Sequence, residues 1–437
     1  MAHAGFARNV LTLLSGTTFA LAVPVLLSPA LSRLFTPEHF GQLALFVSIS
    51  AIGAVAATGR YELAVLIPRR EQVAFALLTI AVLLSGAFSL FILAVLAGLF
   101  VVAPDLLAWV GPTPMWLLLL PASIFLTSSL QGLVYWQTRQ AGYSVIAQAR
   151  AAQALAMSAM ALAAGWIGWV AAGLIAGHAF GSAVAVARIA KTTVQDLRRH
   201  TASTSLKSLL AAARHYNDFP KYLIVGHLAN MASSQMPVLL LTAVYGTRVG
   251  GLYALVDRVL VVPCAVIANA IGEVYRHEAA RQYRSTGACL DLFIQTTRKL
   301  ALLGAVPALC AIVAAERAFP IVFGVQWAEA GPIAAMLGVM VFFQTLGSPM
   351  SQTVLLAGMY RLDLAWQIGR VVVAAAAFAA GHHLVGGYLG AIGLYIVAFA
   401  VFYLAHLALQ YLAARGKHLG RAAEPRIGSA GIAGRRK

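Results

Sequence analysis

Two arginines, Arg258 and Arg370, lie inside long apolar runs of this chain, and a third, Arg60, sits at the end of another. A guanidinium offers five donors in a planar fork and keeps its charge, so it suits bidentate pairing with a phosphate or diphosphate better than a lysine would. Arg258 lies eight residues inside its run, roughly 12 Å deep at about 1.5 Å per helical residue. An uncompensated cation there costs about 2.5–3.5 kcal/mol on the mildest scale, so something must answer it. One answer is an ion pair with Asp257 through a bend or with another helix; the other is an anionic ligand in a cavity. Asp257 is offset by about 100° around a helix, which makes it a poor direct partner. Arg370 admits a snorkelling reading or a pair with Asp363, and Arg60 a plain interfacial pair with Glu62. One phosphate charge and one arginine about 4 Å apart gain about 4 kcal/mol at an effective dielectric of 20, and about 1 kcal/mol in bulk water. Such a site works only if it is partly dehydrated.

Amides and hydroxyls recur at helical spacing in four other places. These are Ser123, Thr127 and Gln131; His227, Asn230 and Ser234; Gln344, Ser348 and Ser351, with Gln352 adjacent; and Asp363, Gln367 and Arg370. Interhelical hydrogen bonding, worth about 0.6 kcal/mol on average, accounts for any one stripe taken alone. Four together favour a wet cavity, lined by Gln131, His227, Asn230, Gln235, Gln344, Gln352 and Gln367, because polar groups in lipid must face protein or water.

The elements that hold these residues are apolar spans. Of the 437 residues 61% are hydrophobic and 10% charged, and the mean hydropathy is +0.83, which excludes a water-soluble protein. Runs fall at about 10–32, 40–59, 73–102, 115–136, 146–166 and 168–190, then at about 222–244, 250–272, 299–317, 330–357, 363–384 and 389–412. The first is too long for a signal-peptide core and reads as a retained span. With the N-terminus inside, 26 of the 31 Lys and Arg fall on the cytoplasmic side. The net charge of +17 is then a matter of topology and of attraction to anionic lipid, not of nucleic acid. Cys264, Cys289 and Cys310 are odd in number and widely spaced, so neither a disulfide framework nor a metal site is expected, and no cofactor. His178, the His382-His383 pair and Cys264 and Cys310 read as structural.

The polar stretch Lys191 to Lys221 divides the spans six and six, giving halves of like orientation at 1–200 and 201–412, followed by a basic tail, 413–437, that reads as disordered. A faint repeat supports this: Pro24-Val-Leu-Leu and Gly41-Gln-Leu-Ala-Leu against Pro237-Val-Leu-Leu and Gly251-Leu-Tyr-Ala-Leu. The expected fold is therefore an all-α polytopic membrane protein of about twelve helices. Its two six-helix lobes are related by a pseudo-two-fold axis along the membrane normal, with a site where the lobes meet.

The order of several motifs carries a resemblance. Arg33-Leu-Phe-Thr-Pro-Glu-His-Phe-Gly41, Ala57-Thr-Gly-Arg-Tyr-Glu-Leu-Ala64, Phe219-Pro-Lys-Tyr222, Gln235-Met-Pro237, Gly251-Leu-Tyr-Ala-Leu-Val-Asp-Arg258, Phe323-Gly-Val-Gln-Trp-Ala-Glu-Ala-Gly331 and Pro349-Met-Ser-Gln352 are together similar to bacterial polysaccharide-biosynthesis proteins. These are the O-antigen and capsule flippases of the multidrug/oligosaccharidyl-lipid/polysaccharide exporter superfamily. The resemblance implies a two-lobed inner-membrane transporter, not an enzyme, with both termini cytoplasmic. It implies an undecaprenyl-diphosphate-linked glycan as substrate, and a polysaccharide polymerase and chain-length regulator as partners. It also implies a cationic cavity, and by motif that role falls on Arg60 and Arg258. Many relatives carry Asn where this chain has Asp257, and against that pattern the extra acid either weakens the cavity's positive field or is a candidate coupling acid for a proton. The rivals are a multidrug exporter of the same superfamily, which wants acidic and aromatic groups for cationic drugs, and a membrane glycosyltransferase or polymerase, which wants paired carboxylates or a large outer loop.

Overall fold

In the computed structural model, residues 16, 18–105, 114–201 and 205–416 are described, and these are helical with no strand among them. Thirteen helices of eight residues or more follow in order among them: α1 Thr18–Leu34, α2 Pro37–Ala57, α3 Glu71–Val102, α4 Pro114–Arg139, α5 Tyr143–Trp166, α6 Val170–Thr201, α7 Leu206–His215, α8 Phe219–Tyr245, α9 Thr247–Thr286, α10 Leu290–Phe323, α11 Ala330–Leu356, α12 Arg361–Val385 and α13 Gly387–Ala414. Eleven are long and apolar enough to cross a membrane, and α1 is a shorter apolar helix. Helices α1 to α6 build one lobe and α8 to α13 the other. Short α7 lies in the linker, started by a capping box between Ser205 and Ser208.

Burial separates two kinds of span. In α2 and α11, 61% of the apolar stretch is buried, against 28% in α3 and α10. Helices α2 and α11 are thus central, and α3 and α10 turn most of their apolar stretch outward. Several helices overrun the runs expected from hydropathy: α9 continues to Thr286, α10 spans Leu290–Phe323, α6 reaches Thr201 and α13 ends at Ala414. Apolar patterning stops where the polar ends begin, but those ends are rich in helix-forming residues. On α9, Glu273–Arg276 and Glu278–Arg281 ion pairs at i,i+3, 2.9 and 2.7 Å long, hold the extension. The expected tail of 413–437 thus begins as helix, and 417–437 lie outside the described residues.

The lobes meet through α2 and α9, and the contact is reciprocal. A methyl group added at Gly41 would overlap the Thr247 carbonyl oxygen, and one added at Gly251 would overlap the Pro37 carbonyl oxygen. Each glycine thus faces the carbonyl four residues before the other, which is what a two-fold axis between the helices produces. It falls on the glycines of the sequence repeat. Around this end, away from the linker, the Trp327 Nε1–H donates to Ser32 O at 2.9 Å, Gln326 donates to the same carbonyl at 2.6 Å, and the Ser32 hydroxyl donates to Phe323 O at 2.9 Å. Arg248 adds exposed ion pairs of 3.1 Å to Glu38 and to Glu329. The lobes are therefore pinned together at the end opposite the linker.

Candidate functional site

Helix α2 begins with Thr36 as N-cap and Pro37 in the first turn. It ends at Thr58, where Gly59 and Arg60 both adopt left-handed backbone, with φ of 60° and 61°. Between those ends, two cavities lie along it. The first, about 540 Å³, is lined from one lobe by Phe40, Ser48, Arg150, Gln153 and His178, and from the other by Gln235, Asp257 and Arg258. The second, about 440 Å³, is lined by Arg60, Gln131, Tyr135, Arg150 and Gln153, and from the second lobe by His227 and Asn230. Arg150 and Gln153 line both, so the two are parts of one inter-lobe cleft that runs beside α2 from Phe40 to Arg60. At 1.5 Å per residue that is about 30 Å.

Arg258 faces the first cavity half-buried, in a π-helical turn, Asp257–Val261, that interrupts α9. Wide turns of this kind recur at functional sites, and this one brings Asp257 and Arg258 to the same cavity wall. The expected ion-pair alternative for Arg258 does not occur among the described residues. Its guanidinium instead lies over the Phe40 ring, 5.5 Å from the centroid. Arg60 does take the interfacial pairing: its Nη1 is 3.0 Å from Glu62 Oε1, with the Glu62 side chain fully buried. It contributes a cation already half spent to the cleft wall. Arg370 donates to Asn230 Oδ1 at 2.7 Å, tying α12 to α8, but unlike the expected cavity cation it is not among the residues that line either cavity.

The other residues expected in the lining divide. Gln131, His227, Asn230 and Gln235 lie in the cleft wall, and Gln235 accepts a 2.8 Å hydrogen bond from Ser48 across the lobes. Gln344 instead lines a pocket of about 60 Å³ inside the second lobe, with Asn269 and Ser348. Gln352 begins the last turn of α11 and Gln367 is exposed on α12; neither is among the residues that form the cleft. A polar stripe identifies a face turned from lipid, but α11 turns that face into its own lobe, which is a packing outcome that spacing does not encode.

Two further residues belong to the site: Arg150, which nothing in its sequence context singles out, and His178, whose expected role is structural. Both line the cleft. Arg150 is seven residues into α5, where Ala-rich sequence gives little punctuation, and the edge-to-face contact of His178 with Phe46, 6.1 Å between centroids, holds it there. No group of three or more His, Cys, Asp or Glu capable of holding a metal occurs among the described residues.

The fold is shared with transporters of the multidrug/oligosaccharidyl-lipid/polysaccharide superfamily. An inward-facing multidrug resistance MATE family transporter of the MOP superfamily superposes with a TM-score of 0.63 at 14% identity, covering 91% of this chain and 94% of the other. An outward-facing MATE transporter of that superfamily gives 0.60 at 13% identity, over 93% and 94%. A MOP superfamily transporter from Pyrococcus furiosus, described as having a binding pocket of reversed polarity that suggests a different function, gives 0.61 at 13% identity, over 93% and 95%. No curated protein matches the sequence. The family model for polysaccharide biosynthesis proteins matches residues 30–332, and the chain belongs to that family.

Proposed function

We propose that the protein flips an undecaprenyl-diphosphate-linked oligosaccharide from the cytoplasmic to the periplasmic leaflet of the bacterial inner membrane for surface polysaccharide assembly. The observation that carries this reading is the cleft itself, in which Arg60, Arg150 and Arg258 follow one another from the linker end to mid-span at the lobe junction. Positive charge in a partly dehydrated groove selects a diphosphate. The amide-rich wall at Gln131, Gln153, Asn230 and Gln235 suits sugar hydroxyls. The isoprenoid chain stays in lipid.

The Lys/Arg bias makes the linker end cytoplasmic. The cleft then reaches toward the leaflet where the lipid-linked glycan is made, while the pinned end faces outward. Rocking of the lobes about the α2–α9 crossing moves the head group across, with no covalent chemistry. Asp257, on the same wall as Arg258, is the candidate for coupling to an ion. Both termini lie in the cytoplasm in this reading, and a polymerase with its chain-length regulator receives the product.

A multidrug exporter would need acidic groups for cationic drugs, and among the described residues Asp257 is the one carboxylate that lines the first cavity, beside two arginines. The reversed pocket polarity described for the Pyrococcus furiosus transporter supports the idea that one fold serves ligands of opposite charge.

The test is the R258A variant in cells. It is expected to remove surface polysaccharide and to accumulate cytoplasm-facing lipid-linked oligosaccharide while the protein remains inserted. Normal surface polymer in that strain would contradict the reading.

A further inference from the structure

Phe40 occupies a position that links the cleft to the closed end of the molecule. Its ring is buried in the first turn of α2, on the first lobe, and it is gripped by two groups of the second lobe. Below it lies the Arg258 guanidinium, 5.5 Å from the ring centroid. Beyond it stands Trp327, edge to face, with centroids 5.0 Å apart and planes at 78°. Trp327 is fully buried, and its indole N–H is the donor that pins Ser32 across the lobes. The next residue of α2 but zero, Gly41, forms one half of the reciprocal glycine contact. One ring thus contacts both the cleft cation and the tryptophan of the inter-lobe closure.

The face of an aromatic ring is negative, and it attracts a cation through the same charge that an anionic ligand would satisfy. A phosphate approaching Arg258 is repelled by that face and competes with it for the guanidinium. The two cannot both be served at full strength. A ligand at Arg258 therefore weakens one of the two second-lobe contacts to Phe40; because Phe40 and Arg258 stand on different lobes, that contact is lost when the lobes part, which gives the ligand the differential affinity needed to shift an equilibrium.

We propose that Phe40 is a positioning residue that couples an isoprenyl diphosphate at Arg258 to release of the Trp327–Ser32 closure, so that occupancy of the cleft favours opening of the opposite end. This rests on the reading of the cleft as an anion site, and it adds a trigger that the cleft's charge alone does not supply.

The test is a distance measurement by double electron–electron resonance between spin labels at Arg33→Cys and Leu384→Cys, both exposed at that end, after replacement of the three native cysteines. The protein is held in nanodiscs with and without saturating farnesyl diphosphate, whose binding is measured separately by calorimetry. In the otherwise unaltered protein, ligand is expected to raise the ratio of long to short distances about tenfold, the range that loss of one desolvated cation–π contact permits. F40L and F40M remove the π face and keep apolar bulk; in them the ratio is expected to be raised already without ligand and to respond to it less than twofold. F40Y restores the face and the full response. A tenfold response retained in F40L and F40M would overturn the coupling while leaving the anion site standing. Absence of farnesyl diphosphate binding to the parent protein would overturn the anion site and the coupling with it.

Discussion

Removing the Arg60 side chain strands a carboxylate. Glu62 is fully buried 3.0 Å from it, and breaking a buried pair by deleting one partner costs about 3–5 kcal/mol, whereas replacing both partners with apolar groups is close to neutral. R60A is therefore expected to lower the thermal unfolding midpoint in detergent sharply, and R60M/E62L to recover most of the loss; an R60A protein that unfolds at the parent temperature would show that the pair is not structural. Loss of transport in R60A alone thus reports on folding as much as on ligand, which distinguishes Arg60 from Arg258. The difference between these arginines was partly legible beforehand. Glu62 two residues after Arg60 announces a pair, whereas for Arg258 the sequence leaves both an ion pair and a ligand cavity open. Phe40 was not legible as its partner, since a contact between residues 40 and 258 is set by how two helices cross. Arg150 was missed for a related reason: charge near the start of a weakly apolar segment reads as loop until the packing of α5 shows which way it faces.

The crossing of α2 and α9 sets how closely the two lobes approach. Gly41 and Gly251 each meet a backbone carbonyl, which cannot rotate aside as a side chain could, so even a methyl group forces the helices apart. G41A and G251A are each expected to loosen the closed end and to raise modification of a cysteine placed at buried Leu31 by a membrane-impermeant maleimide, about tenfold for each substitution. G98A, on α3 where nothing lies within 4 Å, is expected to leave it unchanged; equal labelling in all three would mean that the glycine contact does not govern closure. The repeat around Gly41 and Gly251 was visible in sequence, and so was the six-and-six division of spans. The tight contact between the two repeats was not, because a repeat gives equivalence and not adjacency. The π turn at Asp257–Val261 was equally hidden, as nothing in an apolar run marks where a helix widens.

For the whole molecule, the arrangement is polarised. One end is pinned by Trp327, Ser32 and the glycine crossing, and reinforced by the Arg248 ion pairs, which are exposed and so contribute on the order of 1 kcal/mol or less each. The other end carries the cleft, its arginines and the linker helix α7. A lobe-rocking cycle requires this asymmetry to reverse, and in the proposed function that reversal carries a diphosphate-linked glycan held by Arg258. The direct measurement uses proteoliposomes loaded with undecaprenyl-diphosphate-linked oligosaccharide, in which a glycosidase added outside trims each glycan that arrives from the inner leaflet. The parent protein is expected to expose the inner-leaflet glycan well above the protein-free rate, and R258A, reconstituted to the same density, to stay at that background. Exposure by R258A at the parent rate would contradict the account.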